Sequence, residues 1–138
     1  LVEVFRMGAF EAVTRAAHRV KLLQGHDQQV LPLGKATTLR EDKKGLYGEF
    51  RISKTDLGDQ ALELVRDGVL TNLSIGFQPL KDRKTSNGVI ERLKAHLAEV
   101  SLVTFGAYGE AASIQSVREV LEKPNLAQIE NVLAKIRK

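Results

Sequence analysis

The sequence predicts a mostly β fold with helices, an α+β arrangement in which about six or seven largely antiparallel strands close into a barrel flanked by helices. Three observations lead there. Short apolar segments bounded by Gly, Pro or charged turns dominate the middle of the chain. A single amphipathic helical pattern interrupts them at residues 56–67. The last third of the chain changes to helical periodicity. At 138 residues and 15.2 kDa the chain suits one domain. Its expected parts are an N-terminal helical segment at 1–19, a barrel core at 20–112 and C-terminal helices at 113–138.

The elements are read in order. Residues 9–19 are Ala-rich and free of Gly and Pro, as in a short helix. Val20 to Gln24 forms a strand that delivers His26 at its end, within Gly25-His26-Asp27. Leu31-Pro32-Leu33-Gly34 is a turn or bulge. Lys35 to Leu39 and Leu46 to Ile52 are two strands of a hairpin joined by the charged segment Glu41 to Gly45. Thr55 is an N-cap with Asp56 in the first turn, and Leu57, Ala61, Leu64 and Val65 recur at helical spacing before Gly68. Leu70 to Gln78 is a strand, Lys81 to Gly88 a polar loop, and Val89 to Phe105 one long strand or two short ones. Ser116-x-x-Glu119 has the spacing of a capping box. After Pro124, the residues Leu126, Ile129, Val132, Leu133 and Ile136 make one apolar helical stripe.

Composition excludes several classes of function. The net charge is +4, from 21 Lys and Arg against 17 Asp and Glu. The basic residues are scattered, and two Tyr, five Phe and no Trp leave few platforms for stacking bases. A basic nucleic-acid-binding barrel is therefore the weakest reading, and no specific nucleic-acid partner is expected. No apolar run reaches the ~18–20 residues of a membrane helix, so no membrane partner is expected. With no cysteine, disulfides, thiolate nucleophiles and Cys-ligated zinc are ruled out. Phosphate-loop, dinucleotide, calcium-loop and HExxH patterns are absent, so neither cofactor nor metal is expected. The chain begins at Leu1 without a signal-peptide pattern, as expected of a fragment or a processed form.

Three residues stand out by chemistry. His26 lies at a strand end, where functional groups often sit, whereas His18 reads as a surface-helix residue. Ser74 and Ser101 each interrupt an apolar strand, while the other four serines fall in turn or cap contexts. A hydroxyl in such a strand must find a partner or face a cleft, and Gly76 nearby allows another backbone to approach. Glu99 is a carboxylate in the apolar run Leu97-Ala98-Glu99-Val100-Ser101-Leu102-Val103. Alternation puts Glu99, Ser101 and Val103 on one face, and a half-buried carboxylate needs a cation or a hydrogen-bond donor. An alcohol, an imidazole and an acid are the groups of nucleophilic acyl transfer. The residue list alone leaves rivals, with Asp27 or His96 as third member and a plain ion pair as the role of Glu99.

The motifs, taken together, resemble a known family. Gly25-His26-Asp27, Leu31-Pro32-Leu33-Gly34, Arg66-Asp67-Gly68-Val69-Leu70, Leu73-Ser74-Ile75-Gly76-Phe77 and Leu97 to Val103 follow one another in the order and spacing of the tailed-phage prohead serine proteases, over roughly residues 20–112. The resemblance implies a fold like that of the herpesvirus capsid maturation protease, assemblin. It implies Ser74 as nucleophile, His26 as base and Glu99 where assemblin carries a second histidine. It implies backbone oxyanion donors near Ala107 and Tyr108, where Gly106-Ala107 departs from the Pro-Ala that phage members often carry. The implied activity is a serine endopeptidase of capsid maturation, without cofactor. Its implied substrates are the scaffolding protein or a scaffold-like segment of the major capsid protein, and the protease itself. The implied place is the interior of the prohead, assembled in the host cytoplasm, and the implied assembly is a homodimer. The alternative is a non-enzymatic β-barrel used as a capsid scaffold or docking module, in which His26, Ser74 and Glu99 would not converge.

Overall fold

A computed structural model describes residues 2–105, 112–121 and 128–137; beyond residue 105 it describes the backbone and, of the side chains, that of Ile114. The order is β1 (Val2–Phe5), α1 (Glu11–Thr14), a 3₁₀ turn (Ala17–Arg19), β2 (Lys21–Gln24), β3 (Gly34–Asp42), β4 (Gly45–Ile52), α2 (Asp56–Arg66), β5 (Asn72–Lys84), β6 (Val89–Val103), β7 (Ala112–Leu121) and β8 (Gln128–Arg137). The class is mostly β with few helices.

Strands β1 to β6 form one mixed sheet built around β6. One edge of β6 pairs with β5 antiparallel, from Asn72↔Val103 to Lys84↔Ile90. Its other edge is shared by two parallel strands, β1 beside residues 89–92 and β2 beside residues 99–102. Antiparallel β3 and β4 follow β2. Most strand pairs are antiparallel, as expected, but the sheet is mixed, because both β1 and β2 run parallel to β6.

The sheet of β1 to β6 is open between β4 and β5, so the expected barrel is not established. Strand β8 continues from β4 and β7 from β8, but β7 returns to β5 through the single residue pair Asn72↔Ser113. Closure of a barrel requires a continuous ladder.

The expected C-terminal helices at 113–138 are corrected to strands. The capping-box residues Ser116 and Glu119 lie inside β7, and the expected helical stripe from Ile129 to Ile136 lies inside β8. Strand β4 supplies the reason. Its outer edge would otherwise carry unpaired N–H and C=O groups, and β8 pairs with it along its whole length, from Gly45↔Arg137 to Ile52↔Glu130. Pairing of this kind outweighs a local helical period. Pro124 and Leu126 lie outside the described residues.

Two further differences have local causes. The expected helix at 9–19 is reduced to α1 and the 3₁₀ turn, because Ala9 and Phe10 are drawn into the core, where Phe10 stacks on Phe5 at 5.1 Å between ring centres. The expected polar loop at 81–88 is strand in its first half, to Lys84, and a turn from Thr85 to Gly88. The β5–β6 hairpin continues to Lys84↔Ile90, and its polar residues point to water as an exposed face allows.

The rest follows the local code. In β4, Leu46, Gly48, Phe50 and Ile52 face inward while Tyr47, Glu49 and Arg51 alternate with them. In β3, Ala36 and Leu39 are both buried although three apart, which a bulge at Thr37 permits, since Ala36 faces Phe50 and Thr38 faces Glu49. Helix α2 begins at Thr55, whose hydroxyl accepts from Gly58 N–H at 3.0 Å, a cap that typically contributes about 1 kcal/mol. It buries Gly58, Ala61, Leu62 and Val65, while Leu64, expected in the buried stripe, is exposed.

The β1 end of the sheet is tied by charge. Glu91 on β6 is buried and accepts from Arg6 at 2.9 Å and from Arg83 on β5. Those two guanidinium hydrogen bonds, Arg6 foremost, hold its carboxyl down at about 2. Beside it, Arg92 bridges Glu3 on β1 at 2.8 Å and Asp82 on β5 at 2.6 Å.

A carboxyl held lower when folded than when unfolded stabilises the fold above its ordinary value of 4.5. That contribution is lost as pH falls through about 2. Glu91→Gln is therefore expected to lower the melting temperature at pH 7, with the gap to wild type closing as pH falls from 4.5 toward 2. A gap of constant size across that range, measured by thermal unfolding, would contradict this account.

Candidate active site

The register of three strands assembles the site. Across β5 and β6, Ser74 faces Ser101 and Gly76 faces Glu99. These four residues share one face of the pair. The other face carries Leu73, Ile75, Val100 and Leu102, all buried in the core. Parallel β2 runs alongside, with Gln24 opposite Leu102, and the ladder ends as Gly25 N–H donates to Leu102 C=O at 3.0 Å. The chain then turns back. Gly25 and His26 both have positive φ, 57° and 59°, and Asp27 N–H closes the turn on Gln24 C=O at 3.0 Å. Two consecutive positive φ values are those of a tight primed turn. The turn folds the imidazole of His26 over the strands it has just left.

His26 meets both other residues. Its Nδ1 bonds Glu99 Oε1, and its Nε2 lies 2.8 Å from Ser74 Oγ. Glu99 Oε2 accepts from Ser101 Oγ at 2.7 Å, so both carboxylate oxygens are satisfied although the side chain is only 9% exposed. An ionised carboxylate can only accept, which places the ring proton on Nδ1 and leaves the Nε2 lone pair facing the Ser74 hydroxyl. The imidazole is 42% exposed and Ser74 half-buried, so a ligand can reach the hydroxyl while the acid stays out of water.

Two details hold this arrangement. The first is Gly76. A Cβ there would fall inside van der Waals contact with Glu99 Oε1 and lie 3.0 Å from Cδ and 3.1 Å from Cγ. The gap expected at Gly76 is filled by the carboxylate rather than by a neighbouring backbone. The second is the backbone of His26. A left-handed conformation costs a non-glycine residue roughly 1–2 kcal/mol. A buried hydrogen bond contributes about 0.5–1.5 kcal/mol net. His26 N–H donates to Ser101 Oγ at 3.0 Å, a bond of the right size to hold the turn.

The rival residues take no part. Asp27 turns away and accepts from Gln29 N–H at 2.9 Å. His96 is exposed on β6, opposite Gln78 and beyond a bulge at Ala98. His18 is exposed in the 3₁₀ turn. The oxyanion residues expected from the resemblance, Ala107 and Tyr108, lie outside the described residues. Ser101 was visible in the sequence as a serine in an apolar strand, but its contacts depend on the return of His26 and have no local signal.

The arrangement brings together an alcohol, an imidazole and a carboxylate, each from a different strand or turn, the groups that nucleophilic acyl transfer uses. Residues 1–125 match the family described as caudovirus prohead serine protease. The chain is also similar to a prohead protease of Enterobacteria phage HK97, at 29% identity over 136 residues. That match covers 95% of this chain and 60% of the HK97 protein, so the chain spans about three fifths of that relative's length. No solved structure matches significantly. The family match takes in every strand and turn that carries His26, Ser74 and Glu99, and on it the chain belongs to the caudovirus prohead serine proteases.

Proposed function

We propose that this chain is a serine endopeptidase of capsid maturation, with Ser74 as nucleophile, His26 as general base and acid, and Glu99 as the group that orients the imidazole. The observation that carries the reading is the imidazole of His26, which has Ser74 Oγ at 2.8 Å on one nitrogen and Glu99 on the other. The non-enzymatic alternative expects these side chains apart, and their convergence speaks against it.

The chemistry follows from the positions. Ser74 Oγ attacks the scissile carbonyl while its proton passes to His26 Nε2. Glu99 offsets the imidazolium charge. As the tetrahedral intermediate collapses, His26 protonates the departing amine and an acyl group remains on Ser74. A water then enters, gives its proton to the same nitrogen, and hydrolyses the ester. The oxyanion falls to backbone N–H groups near Ala107 and Tyr108, on the family resemblance. Such a donor typically contributes about 3 kcal/mol.

Family membership supports a scaffolding protein, or a scaffold-like segment of the major capsid protein, as substrate, with self-cleavage beside it. The same membership supports the interior of the assembling prohead as the place of the reaction. A serine on β5 and a histidine on the turn after β2, on the other side of β6, also support a herpesvirus-protease-like fold, with Glu99 in the position of the second histidine.

Three substitutions test the reading through cleavage of co-expressed scaffold and labelling by a fluorophosphonate. Ser74→Ala is expected to remove activity by a factor on the order of 10⁶ while leaving the fold intact. Cleavage that persists in this variant would end the proposal. Glu99→Gln is expected to lower kcat by about 10⁴, because an amide can hold the ring in the wrong tautomer. Gly76→Ala is expected to displace the Glu99 carboxylate and lower kcat about 100-fold. A Gly76→Ala protein of wild-type kcat would mean that the close approach of Glu99 has no bearing on turnover.

A further inference from the structure

Ser101 lies within the site yet has no part in the relay of Ser74, His26 and Glu99. It is fully buried, directly opposite Ser74 in the β5–β6 ladder, and its hydroxyl touches two of the three. Its oxygen accepts from the main-chain N–H of His26 at 3.0 Å, and its proton goes to Glu99 Oε2 at 2.7 Å.

We infer that Ser101 is a positioning residue that locks the His26 main chain and the Glu99 carboxylate to each other through one hydroxyl of fixed direction. The inference rests on the proposed roles of Ser74 and His26. The direction follows from the partners. A main-chain N–H can only donate, so the Ser101 oxygen must accept there, and its one proton is left for the carboxylate. The bonds form a closed circuit. It runs from the His26 main chain to Ser101, from Ser101 to Glu99, and from Glu99 back to the His26 ring. Fixing the main chain sets where the ring pivots, and fixing the carboxylate sets where Nδ1 points. Nε2 is then held against Ser74 from two directions. Without the hydroxyl, the left-handed backbone at His26 loses its partner and Glu99 Oε2 becomes a buried acceptor with no donor. Ser101 reaches neither Nε2 nor the nucleophile by any bond, so it acts on the reaction only through its neighbours.

The test compares Ser101→Thr with Ser101→Val, which have the same shape but differ in the hydroxyl, and adds Ser101→Ala, which introduces no extra volume. The readouts are the second-order rate of Ser74 labelling by a fluorophosphonate and the far-downfield proton resonance of His26 Nδ1–H. The Val and Ala proteins are expected to label about 10- to 100-fold more slowly and to lose or shift that resonance. The Thr protein is expected to recover most of the rate and the resonance. Equal labelling by the Thr and Val proteins, with the resonance unchanged in both, would overturn the inference. Amide exchange at His26 in the wild-type chain gives a measurement that needs no variant. Slow exchange is expected, and exchange at the rate of an open loop would also overturn it. Ser74→Ala is carried in parallel. Labelling that survives in that protein removes the proposed nucleophile itself, whereas labelling lost there but insensitive to Ser101 removes this inference alone.

Discussion

The site depends on a buried carboxylate that is held from both ends. Glu99 sits on the central strand among apolar neighbours, where an unpaired charge would be strongly unfavourable. Its two oxygens are taken by the His26 ring and the Ser101 hydroxyl. The space it occupies exists because residue 76 has no side chain. Each element of the surroundings serves that one group. The β5–β6 register puts Gly76 across from it, the parallel strand β2 brings the chain past it, and the turn at Gly25 and His26 returns the imidazole to it.

The fold separates stability from chemistry along a single strand. The first half of β6 is tied to β1 and β5 by the ion pairs of Glu91 and Arg92. The second half carries Glu99 and Ser101, with its opposite face of Val100 and Leu102 in the core. A bulge at Ala98 lies between the two halves, where Gly76 pairs with Glu99 and Phe77 with Leu97. Bulges re-aim side chains in this way beside functional groups. The charged end anchors the sheet while the apolar face behind Glu99 keeps the face of Glu99, Ser101 and Ser74 rigid.

A strand-borne serine backed by a core face is a firm platform. Leu73 and Ile75 flank Ser74 and point into the core, so the hydroxyl cannot drift without disturbing packed side chains. His26 comes from a turn, a less constrained element, and it is the member that needs additional bonds. The left-handed main chain at that residue is supported by one bond to Ser101 and one to Glu99 through the ring. Rigidity thus comes from packing for Ser74 and from hydrogen bonding for His26.

Local chemistry determined a large part of this protein. The period of 57, 61 and 65 with the Thr55 cap marked α2, the alternation around Phe50 marked β4, and a serine and a glutamate inside apolar strands marked Ser74 and Glu99 as residues in need of partners. Motif order pointed to the family, and the family match agrees. Tertiary structure alone decided the rest. The segment from Ile129 to Ile136 reads as a helix by itself and becomes β8 because the edge of β4 needs a partner. Between β4 and β5 stand β8 and β7, and β7 meets β5 at one residue pair, which falls short of a continuous ladder. The choice of Glu99 over Asp27 or His96 came from a backbone turn and a register between distant strands. Periodicity records which face of a segment is apolar. Which edge it pairs with, and which atoms it then faces, depends on hydrogen bonds between segments far apart in the chain.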